Sequence, residues 1–402
     1  MTERLYYDDP FLWEFEGRAI RTKKEKEQYW TALDRSAFYP TSGGQPYDTG
    51  LISWEGAEAR VLDVEVDREG VVWHRTDREV PEGAAVRGRI DGDRRRDHME
   101  QHGGEHMLAG AIWEKLGGTT IGLHLGKDDS SIDVSMPDGR THLTEAETEM
   151  LERLVNVRIR ADAPIRCWFP TEEELKTLPL RKPPTVSEHV RIVAMGDFEM
   201  VACGGTHPRS TGQIGQLKIL SVIPSKGKIR VTFVCGGRAE ALFRSIFRSA
   251  HKAGNVLSCP PEKLASSAGE LKARLAEAER RVNRFETERI LEEIRRQEDR
   301  ESLPGIILSV TQLGEIDPRP VTEAVSRYIA EDGRALLLSA GERLTFARSR
   351  DVDIDMSDLI RRVGRGGGRP EMASGAGISQ CAEVAKKILM TEGKGKTWRK
   401  KI

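Results

Sequence analysis

Gln101-His102-Gly103-Gly104-Glu105-His106-Met107-Leu108 and, about a hundred residues later, Ala202-Cys203-Gly204-Gly205-Thr206-His207-Pro208 each place two side-chain donors four positions apart. On a helix, His102 and His106 share a face, so both imidazoles reach one ion. Cys203 and His207 bracket Gly-Gly-Thr, which does not hold a helix but folds as a tight loop. Three imidazoles and one thiolate suit Zn²⁺ better than the hard cations, which prefer oxygen. His-x-x-x-His alone is a weak signal, since two ordinary helix histidines give it too; the cysteine–histidine pair set in glycine turns the reading toward metal. Strands on both sides of that loop (190–193 and 216–222) and a further alternating strand at 228–234 make residues 96–240 an α+β domain, with the ion held between a helix and a sheet.

Working outward, residues 1–95 read as a β-rich, barrel-like domain. Alternating runs such as Ala59 to Val66 are separated by turns such as Asp67-Arg68-Glu69-Gly70. Within it, Phe38-Tyr39-Pro40 through Gly43-Gly44-Gln45-Pro46 to Asp48-Thr49-Gly50 is too rich in proline and glycine for a helix. On composition it is a hairpin connection; it also allows close backbone approach to a ligand. From Asp97 to Leu116 the spacing becomes helical, interrupted by Gly103 and Gly104, which cost roughly 1 kcal/mol each relative to Ala. Close packing of a strand or a substrate against that turn would account for them. Thr144 caps a second helix, with Glu147 completing a capping box. In residues 241–302, Leu264, Ala268, Leu271, Leu275, Ala278, Val282 and Phe285 form a heptad seam, which predicts a helical coiled-coil arm or a dimerising helix. Residues 303–402 alternate strand, helix and strand, a small α/β domain. Its stretch from Gly364 to Gly377, carrying arginines ahead of a helix at Ser379–Leu389, reads as a phosphate-binding loop or as a flexible surface loop.

The 402-residue chain has a formal net charge of −1, so no global field draws it to nucleic acid or membranes. Its basic residues are nevertheless clustered. Arg94-Arg95-Arg96 precede the histidine pair, Arg361, Arg362, Arg365 and Arg369 crowd the glycine stretch, and Lys394, Lys396, Arg399, Lys400 and Lys401 form a basic tail; together they predict a polyanionic partner. The five scattered cysteines do not form a disulfide framework. With no signal-peptide pattern and no apolar run long enough to cross a bilayer, the expected compartment is the cytoplasm.

In this order, the Phe38–Gly50 segment, His102/His106, Cys203-Gly204-Gly205-Thr206-His207 and Thr211-Gly212-Gln213-Ile214-Gly215 resemble the editing domain of alanyl-tRNA synthetase and its free-standing relatives, the AlaX alanyl-tRNA editing proteins. The stretch 364–377 resembles the DHHA1-type domain that ends those synthetases, so the likeness is to the long AlaX type. With the β-rich domain starting almost at the first residue, no aminoacylation domain is expected upstream. The resemblance implies a trans-acting hydrolase that deacylates mischarged tRNA(Ala), chiefly Ser-tRNA(Ala) and in some members Gly-tRNA(Ala), with one Zn²⁺ held by His102, His106, Cys203 and His207. Family members commonly carry threonine directly after the first histidine; here it is Gly103, so the chain departs from the family pattern at that hydroxyl.

An aminoacyl ester needs a water nucleophile, a positioned carbonyl and stabilisation of the oxyanion. Zinc with an open position would activate water; four protein ligands favour positioning of the substrate instead. Gln45 and Thr41 are the expected groups that read a substrate hydroxyl, a device that discriminates strongly because it leaves polar groups unpaired with alanine. Gly43, Gly44, Gly204, Gly205 and Thr206 are expected to contact the substrate through the backbone. Glu105 is a base or, lying off the shared histidine face, a solvated or tRNA-facing residue. Arg94, Arg95, Arg361, Arg362, Arg365 and Arg369 are expected to track phosphates. A homodimer through the arm or the C-terminal domain is a further expectation. A competing reading is a non-catalytic tRNA-binding protein with a structural zinc site. A phosphoesterase would need an Asp-His-His motif, and Asp97-His98-Met99 lacks the second histidine.

Overall fold

The computed structural model describes residues 1–184, 186, 188–393 and 398; the basic residues of the tail, Lys394, Lys396, Arg399, Lys400 and Lys401, lie outside the described residues. The chain divides into two compact units, Met1–Ala250 and His251–Ile402.

The first unit opens with a closed six-stranded barrel. Around it run Glu14–Glu25, Gln28–Leu33, Val72–Thr76, Ala57–Val66, Gly50–Trp54 and Ala85–Ile90, the last closing on the first. Alternation builds it: in Ala85–Ile90 every second residue (Val86, Gly88, Ile90) is buried and the others face solvent. Phe15, Leu33, Phe38, Ile52, Val61, Val64 and Val72 fill the interior, each such side chain contributing about 1.5–3 kcal/mol.

Helix α1, Gly92–Leu116, leaves the barrel directly. Asp91 caps it, its carboxylate accepting from the Arg94 amide at 3.2 Å, and Gly117 ends it in the left-handed region at φ 67°. The helix is not interrupted at Gly103 and Gly104. A methyl at 104 would collide with Cys235 Sγ, so the glycine lets α1 press against the strand Lys228–Cys235. Close packing by a strand therefore explains the glycine. Behind α1 lies a four-stranded sheet in the order Leu217–Ser225, Lys228–Cys235, Ser130–Ser135, Thr119–Leu125. The second helix, α2 (Glu145–Arg160), starts with the expected Thr144–Glu147 capping box. It is tied to the sheet by the Asn156 amide, which donates to Leu217 O at 2.8 Å and accepts from Leu217 N at 2.9 Å. A three-stranded antiparallel sheet, Ile165–Trp168, Ile192–Met195 and Glu199–Ala202, delivers the cysteine loop at its end.

Arg95 corrects an expectation. It is wholly buried where α1 joins the barrel, paired with Asp48, and it donates to Pro10 O at 2.8 Å and Ala37 O at 2.6 Å. No phosphate reaches it. Arg94 is half-buried, donating to Tyr47 O at 3.0 Å with its guanidinium over the Tyr47 ring.

The second unit contains a 33-residue helix, Leu264–Arg296, and a six-stranded sheet. Ile307–Leu313 and Arg334–Ala340 pair in parallel with the helix Pro318–Tyr328 between them in sequence, as the strand–helix–strand pattern predicts. The glycine stretch is a hairpin rather than a loop: Arg365–Arg369 pairs with Met372–Ala376 at the exposed edge of the sheet. Arg361, Arg365 and Arg369 are exposed, while Arg362 is paired with Glu392 at 2.7 Å. Along Leu264–Arg296 the seam residues Leu271, Leu275, Val282 and Phe285 are exposed. Among the described residues, no helix is long and apolar enough to cross a membrane.

Candidate metal centre and cavity

α1 brings His102 and His106 to one face, and the turn after Ala202 brings Cys203 and His207 to meet them. The donor atoms of all four lie within 4.8 Å of one another. Cys203 Sγ is 3.4 Å from both His102 Nε2 and His207 Nε2. Zinc bonds of about 2.0–2.1 Å to nitrogen and 2.3 Å to sulfur, set tetrahedrally, give donor spacings of roughly 3.3–3.6 Å. Both ring nitrogens of His106 and Nδ1 of His207 are buried with no hydrogen-bond partner among the described residues. A cation would take one of the two orphaned His106 nitrogens together with His102 Nε2, His207 Nε2 and Cys203 Sγ, so the residues fit a metal.

The electrostatics agree. Burial holds His102 down at about 3 and His106 and His207 well below the usual range, so all three are neutral and able to ligate. Burial also pushes the Cys203 thiol up to about 12, opposed by the Gly205 N–H that donates to Sγ at 3.4 Å and by the Arg191 charge. A divalent cation would reverse that shift and stabilise the thiolate.

Gln45 orients the centre. Its Oε1 accepts from the Thr206 amide at 3.0 Å, which fixes that atom as the oxygen; His102 Nδ1, 2.9 Å from the same oxygen, therefore carries its proton and leaves Nε2 facing the cysteine. Gln45 Nε2 donates to Thr206 Oγ1 at 2.8 Å. Gln45 and Thr206 are thus buried and committed to each other and to His102, which corrects the expectation that they touch substrate. Replacing Gln45 with leucine is expected to weaken zinc binding roughly 10–100-fold, the usual cost of losing an outer-shell partner. Competition with a chromophoric chelator measures it, and unchanged affinity would show that His102 needs no orienting group. Gly205 is glycine because a Cβ there would strike the His102 ring.

A cavity of about 500 Å³ opens over His102, His106 and Cys203. Gly43, Gly204 and Gly205 line it; Gly44, which packs on Leu123, Thr41 and Gln45 are not among its lining residues. Glu105 is not solvated: it lines the cavity, 7% exposed, with Oε2 3.9 Å from His106 Nε2. Burial pushes its carboxyl up to about 7, against the lowering charge of Arg181. A Cβ at residue 103 would meet Ile214 at 2.9 Å and Pro208 at 3.6 Å, on the core side of α1.

The opposite wall escaped the sequence reading. Arg191 donates to Cys203 O at 3.1 Å and Gly205 O at 2.8 Å, clamping the cysteine loop, and Arg181 is held by Glu199 at 2.7 Å. An arginine inside the apolar run Val190-Arg191-Ile192-Val193 was the available signal.

Residues 5–94 match the family model described as class II (A) tRNA synthetases, and residues 190–232 match the second additional domain of threonyl and alanyl tRNA synthetases. The alanine–tRNA ligase of Pyrococcus abyssi is 32% identical over 96% of this chain and 43% of its own length. That of Thermococcus kodakarensis is also 32% identical, over 93% of this chain and 41% of its own. The chain thus spans less than half the length of these ligases. The alanyl-tRNA editing protein AlaX-L of Pyrococcus horikoshii is 30% identical over 96% of both chains. A solved manganese-bound RecJ exonuclease overlaps 35% of the chain and 38% of its own, at a TM-score of 0.27 and 19% identity, too little to bear on fold or function. Fold, donor set and relatives define a protein of the alanyl-tRNA editing class. The chain belongs to the AlaX family of alanyl-tRNA editing proteins.

Proposed function

We propose that the protein is a zinc-containing deacylase that hydrolyses mischarged tRNA(Ala), chiefly Ser-tRNA(Ala) and also Gly-tRNA(Ala). The observation that carries this reading is the convergence of His102, His106, Cys203 and His207, the first three of which line a cavity whose 500 Å³ suits an aminoacylated terminal nucleoside, in a chain that matches AlaX-L along 96% of its length. When bound, zinc supplies a fixed positive charge that anchors and polarises the aminoacyl group.

The chain's own residues do the rest. Gly204 lines the cavity, and its backbone amide is the donor to the ester oxygen, while the Gly205 amide is held by Cys203 Sγ. Glu105, the carboxylate beside His106, is placed to orient and deprotonate the attacking water. The basic wall of Arg4, Lys182 and Arg191 attracts the 3′-terminal phosphates, and in the second unit Arg361, Arg365 and Arg369 are exposed for contact with RNA backbone. The exposed heptad seam of Leu264–Arg296 is the surface through which two copies would pair.

Multiple-turnover release of labelled serine from Ser-tRNA(Ala), beside Ala-tRNA(Ala), tests the reading. Serine release with alanine spared is expected. Stoichiometric binding without release would instead favour a tRNA-binding module with a structural zinc.

A further inference from the structure

A row of edge-to-face aromatic contacts runs from the cavity wall to the surface. Tyr39, buried in the wall, meets Tyr6 at 5.3 Å between ring centroids; Tyr6 meets Tyr7 at 4.7 Å; Tyr7 meets Phe169 at 5.6 Å. Tyr39 and Tyr7 both line the cavity, whereas Phe169 stands just outside it, beyond the end of the strand Ile165–Trp168, and is 50% exposed. The Tyr7 ring is already occupied. Arg191 lies 5.1 Å and Arg4 5.9 Å from its centroid, and its hydroxyl accepts from Arg4 at 3.4 Å. Phe169 meets this fixed ring nearly perpendicular, at an interplanar angle of 76°, and stays half exposed.

A single exposed phenylalanine ordinarily needs no explanation. This one ends a rigid aromatic row beside a cationic cavity that is too large for an amino acid alone. Unstacked nucleobases are held on such rings, and cationic side chains beside them take the backbone. We propose that Phe169 is the stacking platform for the 3′-terminal nucleobase of the RNA, with Tyr7 as its buttress and Arg4 and Arg191 as the flanking cations. The proposal rests on the reading that an aminoacyl-RNA end enters this cavity. It assigns the base to the mouth and the amino acid to the floor.

The test measures binding of two uncharged acceptor-stem RNAs, one ending in CCA and one with an abasic 3′-terminal residue, by fluorescence anisotropy, so that it does not depend on hydrolysis. The wild-type protein is expected to bind the CCA form roughly 5–100-fold more tightly, the worth of one base stacked on an aromatic ring. Phe169→Ala loses that preference and Phe169→Trp keeps it, while the zinc content of both variants stays as in the wild type. Equal binding of the two RNAs by the wild type, or an undiminished preference in Phe169→Ala, overturns the proposal. If the preference holds and no serine is released from Ser-tRNA(Ala), the deacylase reading falls and the platform stands.

Discussion

Cys203→Ala is expected to leave the chain without stoichiometric zinc and to reduce serine release from Ser-tRNA(Ala) in proportion to the metal lost. The thiolate is the only anionic member of the donor set, and the other three are neutral imidazoles. Structural zinc is bound with about 10–16 kcal/mol, so one of four ligands carries roughly 2.5–4 kcal/mol, or about 10²–10³-fold in affinity. His102, His106 and His207 keep their places on α1 and the loop, but three imidazoles alone bind the ion too weakly to survive dialysis. Elemental analysis after dialysis measures the loss directly. Added zinc at 10²–10³-fold higher concentration should restore part of the activity. A variant that keeps one zinc per chain would remove Cys203 from the ligand set. One that loses zinc yet hydrolyses at the wild-type rate would separate the metal from the reaction.

The donor set was legible because each half carries its own local geometry: a helical i, i+4 pair and a glycine loop that admits no other residue at 205. The second layer was not. Gln45 reaches His102 across 57 positions of sequence, and nothing local to Gly43-Gly44-Gln45 shows that its amide faces inward. The barrel was visible as alternation, although its closure through Ala85–Ile90 onto Glu14–Glu25 is a matter of long-range pairing. Gly103 and Gly104 read as an interruption because helix propensity counts only local cost; packing against Ile214 and Cys235 outweighs it. The glycines at 366–368 read as a loop for the same reason. In fact Gly366 lies so close to Gly375 across the hairpin that a Cβ would come within 2.6 Å of its Cα. Arg95 misled through its neighbours. In a run of three arginines it looks like a surface charge, yet it lies on the stripe that continues through Met99, His102 and His106, the buried face of α1.

Arg95→Met should therefore act on stability, with a loss of about 3–5 kcal/mol, the cost of removing one partner from a buried ion pair. The substitution leaves the Asp48 carboxylate, 0% exposed, without its cation, and it orphans the carbonyls of Pro10 and Ala37. For a unit of this size the loss corresponds to a fall in Tm of roughly 6–20 °C. Asp48 also accepts from the Tyr39 amide at 2.6 Å, and Tyr39 forms part of the cavity wall, so the junction braces the site as well as the fold. Adding Asp48→Leu should recover only part of the stability, because the Tyr39 N–H would then be unpaired. Urea unfolding of the three proteins gives the energies, and a salt titration of tRNA binding below the transition supplies the contrast. A phosphate contact would lower the slope of log Kd against log salt by about one and leave the unfolding midpoint in place. A buried brace lowers the midpoint and leaves the slope unchanged. The second pattern is the expected one; the first would return Arg95 to the RNA-binding surface.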